Sequence, residues 1–229
     1  MRLWISLAIL LLVSHVQAQE TQRKIEPSGV EKTESRQLAD FTQVELEAIG
    51  QVDIKLGDSY DVQITADDNV LPEVTTEVVD GRLKLSIQDE ISLQGKVDIR
   101  FAIQLPRLER AIVSGAGGIH VAGDLGESVV LELSGAGSIR AEGEVDRLEG
   151  DLSGAGNLEL SKLNATSAAI RISGTGNAQV YAAENLDAEV SGVGNVRYQG
   201  TPKVRGKVSG IGHVRRAVPE EAEGDDSVR

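Results

Sequence analysis

The sequence predicts an all-β solenoid, a parallel β-helix built from coils of about 18–20 residues. Three observations carry that reading. The phrase Ser-Gly-x-Gly occurs six times, at Ser114, Ser134, Ser153, Ser173, Ser191 and Ser209. Its serines step by 20, 19, 20, 18 and 18 residues, and a near-constant interval of that size marks a repeat architecture. Around each phrase apolar and polar residues alternate with the period-2 signature of strands, while no segment has a convincing helical period.

Residues 1–18 read as a secretory signal peptide. Arg2 gives a positive start, Leu3 to Val13 is apolar apart from Ser6, and Val16 and Ala18 suit a cleavage site. The apolar run is shorter than the ~20 residues of a membrane span, so no stable membrane insertion is expected after cleavage. Residues 19–37 are polar and charged, with Pro27, Ser28 and Gly29 among them, and read as a flexible leader.

Residues 38–216 read as the β-helix, with 38–110 as atypical N-terminal coils or a cap and 111–216 as the repeats. Val44, Leu46 and Ala48 alternate with polar residues, as do Val52, Ile54 and Leu56 after Gly50. Gly57-Asp58 breaks that run, and Val62 and Ile64 resume it. Asp80-Gly81 joins two β-like runs, and a tight hairpin turn is expected there. Residues 97–105 make a further strand that Pro106 stops. Leu71 to Val79 comes nearest to a helix, but its Val, Thr and Pro residues weigh against one.

Within the repeats, Leu148, Gly150, Leu152, Gly154, Gly156, Leu158 and Leu160 share one parity, and the neighbouring units repeat the pattern. Each unit reads as strand, glycine corner, strand and polar loop. Neither strand has a partner inside its own unit, so adjacent units must supply one. An antiparallel meander would need a reversal at every phrase and another at every loop. Parallel stacking instead places one identical corner on the next, about 4.8 Å apart, for a length of roughly 25–30 Å over six coils. The corner glycines are Gly115, Gly117, Gly135, Gly137, Gly154, Gly156, Gly174, Gly176, Gly192, Gly194, Gly210 and Gly212. They are expected to allow φ > 0 and close backbone approach. Residues 217–229 read as a disordered acidic tail.

The chain carries 36 acidic and 23 basic residues; with Arg2 removed the balance is 22 to 36, a net of −14. That charge argues against nucleic acid and anionic lipid surfaces, and it favours solubility. The chain has no Cys, which leaves core burial and backbone pairing to hold the fold and rules out a lipid-modified cysteine.

FTQVELEAIGQVDIKLGDSYDVQI, the hairpin DGRLKLSI, the junction IQLPRLERAIVSGAG, the serial SGxG units and VRYQGTPKVRGKVSGIGHV form an ordered set. Over residues 38 to 216 this set resembles the bacterial "putative auto-transporter adhesin, head GIN domain" family. The resemblance implies a right-handed β-helix of the bacterial envelope and an adhesin-like role, and it brings no catalytic residues with it. An autotransporter carries a C-terminal membrane barrel of ~10-residue alternating strands. An acidic tail follows the last repeat here, so self-export by that route is not expected.

Catalytic, cofactor and metal sites find little support. Phosphate-cradling loops open a helix and P-loops add a Lys, whereas these phrases lead into strands. Calcium-binding nonapeptides need an Asp where this chain has Gly118, Ser138, Asn157, Asn177, Asn195 and His213. Neither His120 nor His213 has an activating neighbour pattern, and the motif serines suit turns. Asp146, Arg147, Glu149 and Asp151 form the densest charged cluster, the place where a polysaccharide-acting enzyme would have to work.

Two rows are candidates for function. Asn157, Asn177 and Asn195 recur in register, either as a ligand-binding row or as a ladder of amides bonding coil to coil in αL-tolerant corners. Thr175, Val193 and Ile211 stand between the glycines and form a contact row or an oligomer seam. The reading is an exported, non-enzymatic envelope protein of the periplasm or cell surface, an adhesin-like module for a cell-surface glycan or protein. The alternatives are a periplasmic self-associating scaffold, present as a homo-oligomer, and a carbohydrate-active enzyme.

Overall fold

The computed structural model describes residues 22–217. The expected signal, and the expected tail after Ala217, lie outside the described residues.

In chain order the strands are β1 (Arg23–Ile25), β2 (Glu31–Arg36), β3 (Gln43–Leu46), β4 (Ile49–Leu56) and β5 (Asp61–Asp67). A 3-10 turn at Leu71–Glu73 leads into β6 (Val74–Val79) and β7 (Arg82–Ile87), then β8 (Ile91–Leu93) and β9 (Arg100–Leu105). The repeats supply β10 (Arg110–Val113), β11 (Ala116–Asp124), β12 (Ser128–Leu133), β13 (Ala136–Leu152), β14 (Ala155–Ile172) and β15 (Thr175–Val190). They end with β16 (Val193–Gln199), β17 (Lys203–Val208) and β18 (Ile211–Arg216).

The stacked parallel strands form a β-solenoid of about five turns. Parallel pairing runs from β10 and β11 through to β17 and β18. Two faces enclose the core. One inward row descends through Leu46, Val113, Leu133, Leu152, Ile172 and Val190, and the other through Val52, Ile119, Ile139, Leu158, Ala178 and Val196, all buried. With neighbours about 4.8 Å above and below, a leucine or valine in such a row loses nearly all its water, worth ~1.5–3 kcal/mol each. The expected polar loops between strands are shorter than the sequence suggests. In β13 and β14 the ladder continues round the bend, where Glu142 pairs with Lys162 and Gly143 with Leu163.

The glycine pair divides its work. At Gly154 a Cβ would strike the carbonyl oxygens of Gly135 and Ser134 on the coil below, so close approach alone selects glycine. Gly156 adds a second reason, with φ +150°. The tight approach lets Ser153 and Gly154 both donate their N–H groups to the Leu133 carbonyl, each at 3.0 Å. Corners of this kind repeat through the stack.

The N-terminal region adds two parallel levels and a cap. β3 and β4 stack beneath β10 and β11. Below them β7 pairs parallel with β3 and β9 with β4, and beyond that level the pairing turns antiparallel: β7 takes β6, and β9 takes β5, which takes β2. The expected flexible leader is corrected by this topology over its described part. β2 is bonded along its length to β5, and β1 runs parallel to β8. Arg23 bonds the buried Glu73, Ser28 Oγ donates to Asp68 at 2.6 Å, and Asn69 Nδ2 donates to the Glu26 carbonyl at 2.8 Å. Polarity alone suggested flexibility, yet these contacts act through backbone and polar side chains. The outer edge left by β2 is Glu-Lys-Thr-Glu-Ser-Arg, a charged edge that resists further strand pairing.

Candidate binding face

Strands β4, β11, β16 and β18, with the first halves of β13, β14 and β15, make one continuous parallel face. Side chains alternate along each strand, so every second residue of this face points outward. Three outward rows cross it from coil to coil.

The first row lies at the corner: Ile49, Ala116, Ala136, Ala155, Thr175, Val193 and Ile211 in direct register. The expected contact residues Thr175, Val193 and Ile211 occupy its C-terminal half. Val193 is 48% exposed and Ile211 73%. Ile49, 44% exposed, was not anticipated, because its level lacks a Ser-Gly-x-Gly phrase. A signal was present: Ala48-Ile49-Gly50-Gln51-Val52 has the same pattern as Gly210-Ile211-Gly212-His213-Val214. The motif serines, all exposed, border this row on the preceding side of the corner. Ser114 Oγ donates to Glu45 at 2.9 Å.

The second row contains Gln51, Gly118, Ser138, Asn157, Asn177, Asn195 and His213. Asn195 Nδ2 donates to Asn177 Oδ1 at 3.0 Å, and Asn177 Nδ2 approaches Asn157 Oδ1 at 3.5 Å. The amides thus bond along the axis. The αL rationale for them does not apply: all three lie within strands, and Asp40 and Asp80 are the described non-glycine residues with positive φ.

The third row is charged. His120 Nδ1 lies 3.3 Å from Asp53, and its Nε2 lies 3.7 Å from Glu142. Arg140 bonds Glu159 through Nε at 2.9 Å. The imidazole therefore faces carboxylates.

The opposite face is laced with ion pairs from coil to coil. Arg82 meets Glu45 at 2.9 Å, and Lys84 meets Glu47 at 2.9 Å. Arg205 is bidentate on Asp187, at 2.7 Å through both Nε and Nη2, and Lys207 bonds Glu189 at 2.8 Å. These hydrogen bonds hold both carboxyls below the ordinary carboxylate range and push both cations up. The expected charged cluster is split. Glu149 and Asp151 are bonded by Arg171 of the next coil, and those hydrogen bonds and charges raise the guanidinium pKa. Asp146 lies apart, in an open groove of about 700 Å³ with Asp124, Glu127 and Glu144. Among the described residues no group of three or more His, Asp or Glu side chains is placed to hold a metal ion. Also among them, no helix is long and apolar enough to cross a membrane.

A long solenoid bearing parallel rows of exposed side chains is an architecture suited to surface recognition. The chain belongs to the family described as "Putative auto-transporter adhesin, head GIN domain", whose model matches residues 40–202. Its fold is similar to the crystal structure of a putative adhesin from Bacteroides fragilis. That likeness has a TM-score of 0.62 at 23% identity and covers 84% of this chain and all of the other. A putative adhesin from Parabacteroides merdae aligns with a TM-score of 0.48 at 18% identity, over 85% of this chain and 99% of the other. A putative lipid binding protein from Parabacteroides distasonis aligns at 0.48 and 19%, over 86% of this chain and 100% of the other. Comparison with curated proteins yields no match.

Proposed function

We propose that the protein is an exported, non-enzymatic, adhesin-like module that binds a cell-surface glycan or protein through its corner ridge. The observation that carries this reading is the seven-residue row from Ile49 to Ile211, with exposed apolar side chains at both ends. The serine hydroxyls and the asparagine ladder flank it. Such a ridge offers apolar contact at its centre and hydrogen-bonding groups at its borders, the distribution found in recognition surfaces. The adhesin family supports the role, and the rigidity of the stack lowers the ordering cost of binding.

The test is adhesion of protein-coated beads to immobilised surface glycans and to whole cells. Val193→Asp and Ile211→Asp should leave the melting temperature within a few degrees, because both side chains are solvent-facing. Together they should lower adhesion about tenfold or more. Undiminished adhesion by the folded double variant would remove the ridge from the reading. Protease treatment of intact cells decides exposure: digestion fits an adhesin, and protection until lysis refutes a surface role.

A further inference from the structure

We propose that the protein partner of the corner ridge is a second copy of this chain, docked antiparallel about a two-fold axis that passes between the two Ala155 residues. The inference rests on the reading of the ridge as the binding surface and names what it binds. Two features of the ridge and its borders select this occupant and this orientation.

The first is bulk. The ridge begins at Ile49, carries alanine at its second, third and fourth levels, and continues with Thr175, Val193 and Ile211. An antiparallel copy sets Val193 on the partner's Ala116 and Thr175 on the partner's Ala136, so each larger side chain meets the space over a smaller one. Ile49, 44% exposed, meets the partner's Ile211, 73% exposed, at both ends of the contact. A parallel copy would press valine on valine and isoleucine on isoleucine and hold the alanines apart.

The second is charge. Within two outward rows of the ridge the first three levels carry Glu45, Glu47, Asp53 and Glu132 against Arg140, a net of −3 with His120 neutral. The last three levels carry Arg171, Arg197, Lys207 and Arg215 against Glu189, a net of +3. The middle level carries Asp151 and Glu159, which Arg171 and Arg140 hold. Antiparallel docking lays each acidic end on a basic end, twice by symmetry, whereas parallel docking opposes like charges. Glu45, Glu47 and Lys207 already have partners within the chain. Asp53, its side chain 61% exposed, is the acidic group set to meet the partner's Arg215. Seven levels give a contact about 29 Å long, and at about 20 Å across it buries roughly 600 Å² per copy. That is the lower limit for a specific complex, so a dissociation constant in the micromolar range is expected.

The test is sedimentation equilibrium of the whole chain from about 1 to about 200 μM. A reversible dimer is expected, weakened about tenfold by Val193→Asp/Ile211→Asp. Asp53→Arg alone and Arg215→Asp alone should each weaken it about tenfold, and the two together should restore it, because the exchanged charges meet again across the axis. The chain has no Cys, so a disulfide readout is clean. On oxidation Ala155→Cys should cross-link to its own copy about tenfold faster than Ala116→Cys, and Ala116→Cys mixed with Val193→Cys should regain the faster rate. A chain that stays monomeric throughout overturns the proposal. So does a double charge variant no better than either single one, or equal cross-linking by Ala155→Cys and Ala116→Cys. Failure here is distinct from failure of the ridge itself: a monomer whose bead adhesion still falls with Val193→Asp/Ile211→Asp loses the second copy and keeps the ridge.

Discussion

Gly156 sits at φ +150°, where a Cβ would run into the Gly137 carbonyl oxygen on the coil below. Neither strain can relax without separating two coils, because the corner amides are bonded to the carbonyls they approach. Gly156→Val should therefore cost about 3 kcal/mol or more in urea unfolding. Ala155→Val, one residue earlier on the outward row, should change stability by less than about 0.5 kcal/mol. Equal midpoints for the two variants would contradict the stacked corner. This contrast was half legible in the sequence. The recurring glycines announce a corner, but the split between close approach at Gly154 and positive φ at Gly156 depends on carbonyl positions that composition does not reveal. The asparagine row was legible as a row for the same reason. Its backbone conformation was not, since Asn suits both turns and ladders.

Between β15 and β17 the pairs Arg205–Asp187 and Lys207–Glu189 link the last coil to the one before it. Hydrogen bonds from the cations depress both carboxyl pKa values in the fold. A depressed carboxyl stabilises the fold fully above its unfolded value, and the contribution disappears as pH falls through the folded one. All four groups face solvent, so the effect is small. Between about pH 6 and about pH 3 the unaltered chain should lose one to two degrees more in melting temperature than Asp187→Asn/Glu189→Gln. Identical losses would show the pairs to be ornamental. Elements held by apolar alternation, such as β12 and β14, were readable directly. β2 was not: its Glu-Lys-Thr-Glu-Ser-Arg is exposed on both faces and owes its place to the β5 ladder. The bends were misread because polar residues there still pair from coil to coil.

Across the whole molecule the two ends are unlike. The N-terminal end is closed by antiparallel β5–β2 and β6, among the described residues the last C-terminal level is parallel, and stability in such a stack is a sum over neighbours. Deleting residues 22–37 should expose the β5 edge and deprive buried Glu73 of Arg23. A fall of about 5 °C in melting temperature is expected, measured calorimetrically. An unchanged transition would mean that the leader strands contribute nothing to the cap.

The coil lengths vary, and the structure absorbs the variation on one side only. Register slips occur between Leu160 and Asn164 and between Ala165 and Ser167, at the bend, while the corner rows stay in step through every coil. The solenoid thus works like a bound book whose pages differ in width: the spine is straight and the fore-edge is ragged. Residues gained or lost at the bend leave the ridge from Ile49 to Ile211 in phase, so a change of coil length on the ragged side leaves undisturbed what the spine presents.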